Sequence, residues 1–201
     1  MAKQADPFEW SGGHPALDLV NTLDERPFDE PIDNLATYGD LVRFAELARL
    51  IEPSVAQRLL SLMGPAVARR ARELREHLHM VLAASHRGRP IPQAPLDAIA
   101  AAVRRAHAAR AFVAAGGSNL AMHGWRRPSL PEIPLHACAL AVERLLIDGD
   151  LKEIRQCGAS DCEVYFIDTS KGHRRLWCSM KGCGNREKQR RLRAHSEAGA
   201  R

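Results

Sequence analysis

Cys157-Gly-Ala-Ser-Asp-Cys162 and Cys178-Ser-Met-Lys-Gly-Cys183 are two matched cysteine pairs in the C-terminal quarter of the chain. Each pair encloses four residues, and 15 residues lie between the pairs. A short turn between two cysteines lets both sulfurs face one ion, and structural zinc takes four such ligands in a tetrahedron. Glycines that tolerate tight turns lie beside the cysteines: Gly158, Gly182 and Gly184. We therefore predict one structural Zn²⁺ held by the four cysteines, with an iron–sulfur or redox site as the alternative.

The segments around these pairs predict the rest of a small module. Between the pairs, Val164, Phe166 and Asp168 alternate with Tyr165 and Ile167, and a Lys171-Gly172 turn follows, which predicts a β-hairpin over this segment. After Cys183 the run NREKQRRLRAH contains strong helix formers and no breaker. A cysteine turn, a hairpin and a helix resemble a treble-clef zinc finger. His173 is interpreted as a basic turn residue rather than a competing ligand, and the remaining cysteine, Cys138, as a buried thiol.

The preceding residues predict a mainly α-helical domain, rich in Ala and Leu, over 1–150, followed by the finger over 151–201. Apolar residues make up 45% of the chain and aromatic residues only 5%. Apolar positions spaced by threes and fours predict five helices, at 37–51, 53–63, 65–86, 96–114 and 134–147. The fifth is apolar nearly all round and is expected to be the most buried. Residues 16–22 are assigned to a short strand in preference to a helical turn, and residues 118–126 to a second strand beside it.

Charge divides unevenly along the chain, whose formal net charge is +5. Residues 1–150 carry 17 basic and 18 acidic side chains, whereas residues 151–201 carry 12 basic and 6 acidic ones. A basic module indicates a polyanionic partner, and arginine suits bidentate contact with phosphate or guanine. The candidate nucleic-acid contacts are Arg174, Arg175, Lys181, Asn185, Arg186, Lys188, Arg190, Arg191 and Arg193. We expect double-stranded DNA, with RNA binding or a protein-interaction role as alternatives.

Other classes of protein find little support in the sequence. No apolar run approaches the ~20 residues of a membrane span, and the N-terminus lacks a signal-peptide core, so a cytoplasmic protein is expected. Nucleophile-elbow, phosphate-loop and metalloprotease motifs are missing, so we do not expect an enzyme. His14, Asp18 and Asn21 form a polar set that could line a small-molecule pocket, or could cap helices and fix turns.

Four short runs resemble a known family. Cys183-Gly184-Asn185-Arg186, the run Trp177 to Met180 and the run Phe166 to Ser170 resemble the bacterial CGNR zinc finger. Gly13 to Thr22, the run GHPALDLVNT, is similar to the start of the ABATE domain that usually precedes it. The family is regarded as stress-induced transcription regulators. The resemblance thus implies a DNA-binding regulator, whose helical domain would sense a small-molecule effector or form a homodimer, since one finger reads few base pairs.

Overall fold

The computed structural model describes residues 6–115, 120–149 and 153–199, with side chains described through residue 196. The fold is mainly helical, as predicted, and its described residues contain three small antiparallel strand pairs. No helix in the described ranges is long and apolar enough to span a membrane. The chain divides into two compact units. One is Leu35–Gly149, and the other joins the described parts of Met1–Asn34 and of Asp150–Arg201. This division differs from the predicted domains 1–150 and 151–201, because the N-terminal segment packs with the finger.

The unit Leu35–Gly149 is built from helices and one hairpin. Its helices are α2 (Tyr38–Leu47), α3 (Pro53–Leu59), α4 (Pro65–His86), α5 (Gln93–Ala109) and α6 (Ile133–Asp148). Proline at the first turn begins α3, α4 and α6, where its missing N–H costs nothing. Helix α6 is buried along most of its length, as predicted, and contains the fully buried Cys138. Burial raises the pKa of that thiol to about 12.

The predicted fourth helix extends too far. Helix α5 ends at Ala109, and β3 (Arg110–Ala114) follows directly, pairing with β4 (Ala121–Trp125) in the register Phe112↔His123. The second predicted strand is therefore present, but its partner is the neighbouring segment rather than residues 16–22. A local hairpin closes a short loop, which costs less chain entropy than pairing with a distant segment.

The second unit contains the N-terminal segment and the finger. Its elements are α1 (Pro15–Val20), β1 (Leu23–Asp24), β2 (Ile32–Asp33), β5 (Ile154–Gln156), β6 (Tyr165–Ile167), a π-helical turn (Met180–Gly184) and α7 (Asn185–Gly199). The strand preferred for residues 16–22 is wrong, because α1 occupies this run. His14 caps the helix, with Nδ1 accepting from the Ala16 amide at 3.1 Å, and Pro15 fixes its first turn.

Helix α1 and the residues before it dock on β6. The Asn21 side chain pairs with the backbone of Tyr165: its Nδ2 donates to the carbonyl oxygen and its Oδ1 accepts from the amide, both at 2.9 Å. The Ile167 amide donates to the Gly12 carbonyl at 2.9 Å. These bonds join segments more than 140 residues apart, so the N-terminal segment is held against β6 of the finger.

Candidate metal centre and basic helix

The four predicted sulfur ligands meet at one point. The Sγ atoms of Cys157, Cys162, Cys178 and Cys183 all lie within 4.8 Å of one another. Sγ–Sγ distances are 3.8 Å for Cys162–Cys178 and 3.5 Å for Cys178–Cys183. Four sulfurs around zinc at about 2.3 Å stand about 3.8 Å apart, which these separations match. The cluster is thus a site for one structural Zn²⁺, closed by four protein ligands.

The acid–base chemistry of the cluster also fits a cation. Hydrogen bonds from the thiols of Cys162 and Cys178 lower the pKa of Cys157 to about 2. The same interactions with Cys157 raise the pKa of Cys178 well above its ordinary value, because its thiol is held as a donor. Four thiolates so close together repel one another unless a cation lies between them. Zinc supplies that charge and holds the turns together; it leaves no open position for catalysis.

Two different structures present the cysteine pairs. The first pair lies in the loop that joins β5 to β6, with register Arg155↔Phe166. The two strands of the hairpin therefore flank the first cysteine pair, whereas the sequence predicted a hairpin between the two pairs. Residues 168–177 instead run without strand structure to the second pair. The π-helical turn carries Cys183 immediately before α7, and the Ser179 hydroxyl accepts from the Gly182 amide at 3.3 Å to begin that turn.

Trp177 packs against both glycine-containing turns. A Cβ added to Gly158 would lie 3.4 Å from the indole Cζ3, and one added to Gly184 would lie 3.1 Å from its Cδ1. The Gly184 position would also meet the Met180 Sδ at 2.9 Å. The run Trp177 to Met180 and the glycine of Cys183-Gly184-Asn185-Arg186 thus belong to one packing contact beside the metal ligands.

Asp168 organises the loop between the hairpin and the second pair. Its buried carboxylate accepts hydrogen bonds from the Ser170 amide at 3.0 Å, the Ser170 hydroxyl at 2.5 Å and the Arg175 amide at 2.9 Å. The Ser170 hydroxyl bond is the main reason that the pKa of Asp168 is lowered. His173 has a positive φ of 49° and its Nδ1 lies 2.9 Å from the Asp168 carbonyl, so it is a turn residue, as predicted.

Four of the nine predicted nucleic-acid residues make contacts inside the finger. The Arg175 guanidinium lies 4.2 Å from the centre of the Phe166 ring and donates to the carbonyl oxygens of Trp177 and Cys178. The Asn185 side chain donates to the Lys181 carbonyl at 3.3 Å. Such contacts hold these side chains against the protein.

The other two internal contacts are made by arginines of α7. Arg186 Nη2 lies 3.1 Å from Asp161 Oδ1 and 3.2 Å from the Cys183 Sγ. Arg190 Nη2 lies 2.5 Å from Asp161 Oδ2, and its Nη1 contacts Ser160 and Glu187. One carboxylate in the first cysteine turn therefore receives both arginines. This fixes α7 against the metal-binding turns.

The remaining five predicted contacts point to solvent: Arg174, Lys181, Lys188, Arg191 and Arg193. None of them forms an ion pair with another residue in the described ranges. At 100° per residue, Lys188 lies opposite the side of α7 that Arg186 and Arg190 share, and Arg191 lies about 100° from Arg190 around the helix. The structure thus separates the basic residues into an inner set that stabilises the finger and an outer set that is available to a partner.

The predicted pocket residues all have structural partners. His14 caps α1, Asn21 holds Tyr165, and Asp18 accepts from the Gly12 amide at 2.9 Å. Burial raises the pKa of Asp18 to about 6 against the lowering effect of that bond. Of the three, Asn21 lines a cavity of about 10 Å³, which is room for one water molecule. The roles of Asn21 and Gly12 were not predicted, since no local pattern points to a partner so far along the chain.

Comparison with known proteins agrees with this arrangement. Residues 153–196 match the family model of the CGNR zinc finger. Residues 13–149, more than half of the chain, match the ABATE model, described as "putative stress-induced transcription regulator". A search of curated proteins found no match. The sulfur cluster, the inner contacts of the finger motif and the two family models lead to one conclusion: the chain belongs to the ABATE family and carries a C-terminal CGNR zinc finger.

Proposed function

We propose that this protein is a transcription regulator that binds double-stranded DNA through the outer basic residues of its finger. The observation that carries this proposal is an exposed cationic surface on a helix fixed to a metal centre. Lys188 and Arg191 extend from α7 without an ion-pair partner in the described ranges, and Lys181 lies exposed in the preceding turn. Zinc and the Asp161 contacts hold the helix in place, so little ordering entropy remains to be lost on binding.

The aromatic residues of the finger favour duplex DNA over single-stranded RNA. Proteins that read single strands stack bases on exposed aromatic rings. Tyr165 and Phe166 are 1% and 0% exposed, and Trp177 packs between two glycines. The described part of the finger therefore offers charge and a helix, which suit phosphate contacts and groove entry, while two of its three aromatic rings are buried. A homodimer would supply the second reading head that sequence-specific binding requires.

Fluorescence anisotropy of the zinc-loaded full chain with duplex DNA and with RNA, over a salt series, tests the proposal. We expect duplex binding whose log affinity falls linearly with log salt. The double variant Lys188→Gln, Arg191→Gln should reduce the magnitude of that slope by about 2, one for each lost phosphate contact. Arg89→Gln, which removes an exposed charge from the helical unit, serves as the matched control.

Each outcome has a definite meaning. Tighter binding to RNA at equal salt would replace the DNA proposal with the RNA alternative. If no nucleic acid binds at low salt, the finger is a structural or protein-docking module. A double variant that behaves as Arg89→Gln does would show that DNA is held elsewhere on the chain.

A further inference from the structure

A cleft in the helical unit lies between α4, α5 and α6, and its volume is about 160 Å³. One part of its lining is apolar and includes Leu74, Leu135 and alanines of α5. The other part is polar and consists of Arg70, Glu73, His77 and Arg105. All of these residues belong to the unit Leu35–Gly149 and lie far along the chain from the metal centre. The cleft thus joins an apolar floor to a charged rim.

The rim carries an excess of positive charge. Arg70 and Arg105 form no ion pair with any residue in the described part of the chain. Glu73 already has a cationic neighbour, since its Oε1 lies 3.7 Å from the Nε of Arg69. The whole unit is basic as well, with 15 basic and 9 acidic side chains between Leu35 and Gly149. Two guanidinium groups and one carboxylate, which is itself paired with Arg69, therefore line the cleft and leave its rim with a net positive charge.

The positive charges of Arg70 and Arg105 also affect the pKa of a neighbouring residue, His136. Burial lowers the pKa of His136, and attraction to Glu132 opposes that shift. Arg70 and Arg105 lower it further, which shows that both guanidinium groups act on the same region. Like charges held near one another destabilise the free protein, and an anion between them would relieve this repulsion.

His77 supplies a hydrogen-bond donor to the same rim. Its Nδ1 is inaccessible to solvent and has no hydrogen-bond partner among the described atoms. Either ring nitrogen of a histidine can carry a proton and donate a hydrogen bond, depending on the tautomer. The ring then adds one N–H donor to the two arginines.

We propose that this cleft binds a small organic acid, with its carboxylate on Arg70, Arg105 and His77 and its apolar body against Leu74 and Leu135. Arginine pairs with carboxylates through two parallel hydrogen bonds, which suits a planar anion. A cavity of about 150 Å³ holds a benzene molecule, so the body is of that size. This inference concerns the helical unit and is independent of whether the finger binds DNA.

Isothermal titration of the full zinc-loaded chain with benzoate tests the site. Benzoate combines a carboxylate with a benzene-sized body, and benzamide has the same shape without the charge. We expect a Kd for benzoate of roughly 1 mM or tighter and at least about tenfold weaker binding of benzamide. Arg70→Gln and Arg105→Gln should each weaken benzoate about tenfold or more. Arg104→Gln, an exposed neighbour on α5 outside the lining, should leave its Kd unchanged.

Several results would overturn the proposal. Equal binding of benzoate and benzamide would show a merely apolar cleft, and equal effects of Arg104→Gln and Arg105→Gln would show a nonspecific charge effect. No binding at roughly 1 mM would refute the site directly. The benzoate and benzamide comparison uses the unchanged protein, so it decides the matter even if an arginine variant fails to fold.

Discussion

Replacement of Asn21 by alanine tests whether the N-terminal segment is part of the finger. Asn21 makes two buried hydrogen bonds of 2.9 Å, one to the amide and one to the carbonyl oxygen of Tyr165. Both bonds are buried, so the substitution leaves two buried backbone groups of Tyr165 without their protein partner. Each buried backbone group left without a hydrogen bond costs about 1–3 kcal/mol, which gives about 2–6 kcal/mol for the pair. We expect the population of the transiently opened finger to increase by the factor that corresponds to this free-energy cost.

Zinc release to a chromophoric chelator measures this opening at the metal itself. If the chelator captures zinc from a transiently opened finger, the release rate follows the population of that state. A cost of about 2–6 kcal/mol then corresponds to release about 30- to 20,000-fold faster, at about 1.4 kcal/mol per tenfold. Asn34→Ala is the control, because the Asn34 side chain makes no hydrogen bond in the described part of the chain. Equal release rates for the Asn21 and Asn34 variants would refute the reasoning.

Three further predictions follow from other contacts of this unit. Burial raises the pKa of Asp18 from 3.8 to about 6, so the folded state loses stability as pH rises through this interval. Asp18→Asn should remove up to about 3 kcal/mol of that loss, seen as a smaller difference between denaturation at pH 4 and at pH 7. Gly184→Ala places a Cβ 3.1 Å from Cδ1 of the Trp177 indole and should accelerate zinc release, whereas Gly182→Ala, with its nearest contact at 3.8 Å, should not. Asp161→Asn removes two exposed ion pairs, so urea denaturation should show a loss of no more than about 2 kcal/mol; a larger loss would show that Asp161 is essential to the finger.

The parts predicted correctly from sequence are those with a local physical cause. Four thiolates need one cation, and the spacing of Cys157, Cys162, Cys178 and Cys183 shows where it binds. Pro65 begins α4 and Gly88 follows its end, so the bounds of the longest helix were visible in advance. Apolar periodicity over many residues identifies such helices because each turn adds to the same signal.

The errors arise where a distant partner decides the structure. The sequence pattern of the preceding helix continues through residues 110–114. These residues nevertheless pair with β4, because that hairpin satisfies the hydrogen bonds of their backbone groups. Residues 15–20 are too short for a periodic signal, and the His14 cap decides between strand and helix. The strand after Cys162 pairs with residues before Cys157. The alternative was pairing with residues before Cys178, which is equally local, and the alternation of side chains does not distinguish the two hairpins.

The structure also changes the functional interpretation of the motif Cys183-Gly184-Asn185-Arg186. Each residue of Cys183-Gly184-Asn185-Arg186 has a structural role within the finger. Cys183 is a metal ligand, and Gly184 lies close to the Trp177 ring. Asn185 donates to the Lys181 carbonyl, and Arg186 contacts Asp161. The motif thus accounts for a stable zinc module whether or not nucleic acid binds. The proposed DNA contacts lie outside the motif, chiefly at Lys188 and Arg191. Substitutions within the motif change the metal site or contacts inside the finger as well, so the outer residues are the ones that distinguish recognition from stability.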